Sequence, residues 1–147
     1  MRELIKVPDP LLRQKSQPVK EIDDSIRELA EFMISRLGSA DAVGLAASQY
    51  GELVRVIVVR IDTLTDMAIV NPEVIKERGE HFVIEGCRSI PGKQYKLRRP
   101  KIVKVRGLNL DGKEITVKGR DFLAQLLKHE VDHCNGVLID SLGKLIP

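Results

Sequence analysis

The chain has 147 residues, 43% hydrophobic and 31% charged, which suits one globular domain spanning 1–147 and excludes a disordered tail. A net charge of +3 with three Phe, two Tyr and no Trp excludes a protein built chiefly to stack on nucleic acid, and no apolar run approaches the ~20 residues of a membrane-spanning helix. Two cysteines are too few for a disulfide framework, and the opening MRELIKVPDP is too interrupted by charge and proline for a secretory signal, so cytosolic thiols are expected.

The segment from Leu4 to Val19 carries Pro8, Pro10 and Pro18 and should be extended or turning. Either Asp23 or Asp24 can cap a helix that follows, with Ile26, Leu29, Ala30, Met33, Ile34 and Leu37 as its apolar stripe and Gly38 as its stop. Residues 39–51 are rich in small side chains and too irregular for a strand or a good helix. Segments 54–60 and 67–71 are β-branched and read as a strand pair about a polar turn. Segments 81–85, 94–98, 101–108 and 113–118 continue as short strands, the last two joined by Asp111-Gly112, a strong hairpin signal. Asp121 to Asn135 is helical and Gly136 closes it. The expected architecture is α+β, with short antiparallel strands packed around a central helix.

That helix carries His129-Glu-Val-Asp-His133. Residues four apart on a helix share a face, so two imidazoles can grip one metal ion while Glu130 lies beside them, able to reach a water at the metal without being a ligand. A third ligand is needed, and His81, Cys87, Cys134 and several carboxylates are candidates. Cys134 follows His133 by about 100° around the helix and should turn its sulfur away, as a small buried residue. A lone His81 on a strand is more often exposed or satisfied than ligating. Cys87 sits in Glu85-Gly-Cys-Arg-Ser-Ile-Pro-Gly92, where glycine and proline force an unusual path, and is the preferred third ligand.

Taken together, Ala42-Val-Gly-Leu-Ala-Ala-Ser-Gln49, Glu85-Gly-Cys-Arg-Ser89 and His129-Glu-Val-Asp-His133 resemble, in order, the three motifs of the peptide deformylases. The likeness covers nearly the whole chain, including the opening PDPLLR. Two positions depart from the pattern: Ala42 stands for the first glycine of the first motif, and Arg88 for the apolar residue after the cysteine. The resemblance implies removal of the formyl group from the N-terminal formyl-methionine of nascent polypeptides, with formate as product. It further implies that Cys87, His129 and His133 hold a divalent metal with a fourth position open. Ferrous iron is the usual metal of the family, and this donor set also accepts zinc, nickel or cobalt.

By the same resemblance Glu130 is the general base and acid, while the Gln49 amide and the Arg88 backbone N–H form the oxyanion hole. Gly44, Ala46 and Ala47 let a peptide approach the backbone, and Val43, Phe122 and Leu126 are expected to wall a methionine pocket. Glu85 is expected to pair with Arg99 and fix the cysteine turn, and Asp132 to orient its helix or a ligand. The run Lys93 to Arg106 has seven basic and no acidic residues; a solvated sheet face is the favoured reading, ribosomal RNA contact the other. Expected partners are formyl-methionyl peptides and, transiently, the ribosome, in the bacterial cytoplasm, with no membrane and no sequence-specific nucleic acid. Fourteen residues follow His133, short for this family, whose members often continue into a C-terminal element for ribosome contact. The rivals are an HExxH metallopeptidase, for which Asp140 is the only downstream ligand, and a non-catalytic formyl-peptide-binding module.

Overall fold

A computed structural model describes residues 2–38 and 42–147. Ser39, Ala40 and Asp41, the start of the small-residue segment, lie outside the described residues. The N-terminal stretch turns once, as a 3-10 helix over Pro10–Arg13 whose Leu11 N–H is capped by the Asp9 carboxylate at 3.0 Å. Helix α1, Asp24–Ser35, is capped by Asp23, whose carboxylate accepts the Ile26 N–H at 3.0 Å. It ends before Leu37, and Gly38 takes the positive φ of 81° that redirects the chain.

Strand β1 covers Gly44–Ala46, within the segment expected to be irregular. Its small residues have little intrinsic strand preference; pairing with the next strand makes it a strand, with Gly44 opposite Val59 and Ala46 opposite Ile57. Strands β2 (Val56–Asp62) and β3 (Thr65–Arg78) follow, then β4 (His81–Cys87), β5 (Ile90–Arg99), β6 (Ile102–Leu108) and β7 (Glu114–Arg120). Helix α2 spans Phe122–Cys134, and β8 is the short pair Lys144–Leu145.

Not all strands are short: β3 has 14 residues and β5 has 10, against the five expected for each. The strand read over 67–71 stops short of Pro72, but Pro72 falls where the register shifts between Val70 and Glu73, and the ladder resumes beyond it. Asn71 holds the kink at φ 53°, its side chain accepting the Val19 N–H and donating to the Val19 carbonyl at 2.8 and 2.9 Å. The β6–β7 hairpin turns as read: Gly112 adopts φ 80°, and the Asn109 carboxamide accepts N–H groups from Asp111 and Lys113.

The strands form two antiparallel sheets, one of order β1-β2-β3-β6-β7 and one of order β4-β5-β8. Strand β2 is apolar on both sides because both are covered. Val56 and Val58 pack with Leu29, Ala30 and Met33 of α1; Ile57 and Val59 pack with Leu126, Leu127 and Val131 of α2. Helix α2 therefore lies on the larger sheet and also touches β5 of the smaller one. A third cluster, with Leu12, Tyr95, Leu97 and Ile139, closes the inner face of the smaller sheet. Its outer face is open: Phe82 and Ile84 are exposed, and Lys96 and Arg98 lie 5.0 and 5.1 Å from the Phe82 ring. Strand alternation thus splits the basic run, with Lys96 and Arg98 facing out and Arg99 buried.

Candidate active site

A cleft of about 750 Å³ opens where β1, the β4–β5 turn and α2 meet. Cys87 ends β4, and the tight turn into β5 presents its thiol to α2. The Nε2 atoms of His129 and His133 are 3.2 Å apart, and Cys87 Sγ is 3.5 Å from His133 Nε2. All three ligand atoms lie within 4.8 Å of one another. Among the described residues neither His81 nor Cys134 joins this cluster. Cys134 is 1% exposed, and burial pushes its thiol up to about 12. Asp140 is engaged elsewhere, in a two-bond ion pair with Arg13 at 2.6 and 3.0 Å.

Behind the cluster stands a buried charge network. Arg99 donates to both Glu85 oxygens at 3.0 and 2.6 Å, and to Asp132 at 2.7 Å. Glu85 also meets His129 Nδ1 at 2.5 Å. Burial pushes the Glu85 carboxyl up, but hydrogen bonds from His129 and Arg99 outweigh it and bring it to about 2. The expected Glu85–Arg99 pair is thus present, and the structure adds His129 and Asp132 to it. With Nδ1–H given to a carboxylate, His129 turns its Nε2 toward His133 and Cys87.

One sulfur and two imidazole nitrogens converging on one point fit a divalent metal, and three protein donors leave a position open. Electrostatics agree. Burial, then the neighbouring His129, pushes His133 well below the usual histidine range, so it is the neutral imidazole that a ligand must be. Burial also disfavours charge on His129, yet Cys87 and Glu85 draw the ring well above the usual range, marking a spot that favours positive charge.

Glu130 lines the cleft at 2% exposure, and burial raises its carboxyl to about 7. Its Oε1 is buried without a hydrogen-bond partner. Gly44 of β1 lies against it: a Cβ there would fall 2.8 Å from Glu130 Oε2 and 2.6 Å from Leu126 Cδ1. Gln49 reaches the cleft from the 3-10 turn Ala47–Tyr50 after β1, its Oε1 accepting the Ala46 N–H at 2.9 Å. Val43, Leu126 and Phe122 also line the cleft; Leu126 is buried, whereas Phe122 is 60% exposed at the rim. Arg88 is exposed in the β4–β5 turn, with Cys87 on the same cleft.

Sequence reading gave Ser89 no task. Its hydroxyl accepts the Gln49 Nε2–H at 3.2 Å and donates to the Ile5 carbonyl at 2.7 Å. Those partners are 40 and 84 positions away, so no local signal could have pointed to them.

The model of the polypeptide deformylase family matches residues 1–145. The chain belongs to that family. A peptide deformylase of Alkaliphilus metalliredigens is 48% identical over 130 residues, covering 88% of each chain. One of Dehalococcoides mccartyi is 44% identical over 97% of this chain and 86% of its own. Crystal structures of peptide deformylases from Legionella pneumophila and Thermotoga maritima superpose with a TM-score of 0.92 each, at 37% and 32% identity. They cover 97% and 98% of this chain, and 85% and 98% of their own. The two departures of this deformylase from the family motifs both line the cleft: Ala42 is buried beside Val43, and Arg88 is exposed.

Proposed function

We propose that this chain removes the formyl group from formyl-methionyl nascent peptides, with Glu130 moving the proton and Cys87, His129 and His133 holding a divalent metal. The observation that carries this reading is the convergence of those three donors beside a buried, unpartnered Glu130 oxygen in one cleft. When bound, the metal supplies Lewis-acid activation of water and of the formyl oxygen, and ferrous iron is the assignment, with zinc, nickel or cobalt as substitutes. Helix α2, packed on the larger sheet and touching β5, is read as the central element that carries the motif.

Glu130 accepts the proton of the attacking water at its free oxygen and returns it to the departing amine. Its raised pKa, near neutrality, suits a group that must do both. The Gln49 Nε2–H not given to Ser89, with the Arg88 backbone N–H, stabilises charge growing on the formyl oxygen. Strand β1 is the edge of its sheet and lines the cleft, so the peptide can pair along Val43 and Gly44, where a side chain at Gly44 would intrude. The methionine side chain is assigned to the apolar wall of Val43, Leu126 and the exposed Phe122. Glu85 and Arg99 act through His129 and do not touch substrate. Residues 1–147 are read as one catalytic domain working in the bacterial cytoplasm, with transient ribosome contact.

The test is formate release from formyl-Met-Ala-Ser by protein purified without oxygen. Formate should appear, and Glu130→Ala should abolish it while metal content stays unchanged. Cleavage of a capped internal peptide without formate would overturn the reading in favour of a metallopeptidase.

A further inference from the structure

The Gln49 carboxamide is held at both ends. Its oxygen takes the Ala46 N–H of its own turn, and its nitrogen gives one N–H to Ser89 Oγ. Ser89 spends its own hydroxyl proton on the Ile5 carbonyl, so its oxygen can meet Gln49 only as an acceptor. The amide is therefore locked against a flip: oxygen toward Ala46, nitrogen toward Ser89. Two backbone bonds reinforce the lock. Ile5 N–H donates to the Gln49 carbonyl at 2.7 Å, and Val7 N–H donates to the Ser89 carbonyl at 2.9 Å. A strap of residues 5–7 thus ties the turn that bears Gln49 to the turn that bears Arg88.

We propose that Ser89, fixed by the strap at Ile5 and Val7, is a positioning residue that aims the Gln49 amide at the formyl oxygen. The proposal rests on the reading of Gln49 as an oxyanion donor. Ser89 is fully buried and does not line the cleft, so it acts through Gln49 and never on the substrate. The geometry also explains why a serine suits the position after Arg88. An apolar residue would leave the Gln49 nitrogen without an acceptor on that side, and a side chain without a donatable proton could not hold the Ile5 carbonyl.

The experiment is a kinetic double-mutant cycle of Ser89→Ala and Gln49→Ala on formyl-Met-Ala-Ser, with metal content checked for each protein. Gln49→Ala should lower kcat by roughly 10²- to 10³-fold, the usual cost of one oxyanion donor. Ser89→Ala should lower kcat by roughly five- to thirty-fold with KM within about twofold, because a misaimed donor weakens only the transition state. In the Gln49→Ala background the Ser89→Ala change should cost less than about twofold. An equal loss in both backgrounds, or a rise in KM at constant kcat, would overturn the proposal alone. Full activity of Gln49→Ala would overturn the oxyanion reading of Gln49 and the proposal with it. Ser89→Cys, which fills the site with a slightly larger and only weakly hydrogen-bonding group, carries the same cycle if Ser89→Ala does not fold.

Discussion

Replacing Arg99 by Met should be the most costly single change outside the cleft. The guanidinium side chain is 2% exposed and makes three hydrogen bonds, two to Glu85 and one to Asp132, whose side chains are 6% and 12% exposed. Methionine can follow much of the same apolar path but leaves two carboxylates facing each other in a dry interior. Breaking a buried ion pair on one side costs about 3–5 kcal/mol. At roughly 2.1 cal/mol/K per residue, 147 residues unfold with an entropy of about 0.3 kcal/mol/K near 60 °C, so Tm should fall by about 10–16 °C. A domain of this size has about 5–15 kcal/mol in hand, which leaves the variant folded at 20 °C across most of that range. Glu85 loses its anchor at the same time, and His129 its orientation, so zinc affinity should drop about 10- to 100-fold. Arg99→Lys keeps the charge without the fork and should fall between the two. Calorimetry and a competitive zinc titration measure both. A Tm shift below about 3 °C with unchanged zinc affinity would refute the assignment of Arg99 as the keystone of the site.

The Cβ of Gly44→Ala must displace Leu126 and Glu130; activity should fall at least about tenfold at unchanged metal content, and wild-type kcat would count against the close fit. A maleimide added to the chelated protein should label Cys87 alone, with Cys134 reacting only in denaturant; mass spectrometry of the two peptides decides. Asn71→Gly keeps the φ of 53° accessible but removes both bonds to Val19, and should cost about 1–3 kcal/mol in urea unfolding. The hydrogen bond from Arg13, against a smaller effect of burial, holds the Asp140 carboxyl below its usual range. Its contribution is therefore present above about pH 4 and is lost as pH falls through its folded pKa, so the stability gap between wild type and Asp140→Asn should close in acid. A gap that widened on acidification would contradict this.

The Cys87, His129, His133 cluster was legible because its signals are local. Four-residue spacing puts His129 and His133 on one face whatever the surroundings, and glycine and proline about Cys87 announce a turn. The hairpin at Gly112 and the cap at Asp23 are equally short-range. What escaped reading depends on partners far along the chain. Strand β1 is extended because β2 lies beside it, not because of its own residues. The strand read over 67–71 runs on past Pro72, since nothing in the sequence tells a bulge from a stop. Arg99 was matched to Glu85 from the motif, whereas Asp132 joined the network only once α2 was packed behind the turn. Ser89 lay in plain view within a motif, yet its two partners, Gln49 and Ile5, lie 40 and 84 positions before it.

Strand β2, apolar on both faces, has a consequence for biosynthesis. The cover for Val56 and Val58 precedes it in the chain, since α1 is made first. The cover for Ile57 and Val59 is α2, one of the last elements to be made. While the chain is being synthesised, the larger sheet must wait with one apolar face, including Ile69, Val103 and Val105, open to water or to a chaperone. The same late helix brings both histidines, so burial of that face and assembly of the Cys87, His129, His133 cluster are one event. In a nascent molecule of this deformylase the apolar face and the cluster close together, and a chain stalled before α2 has closed neither.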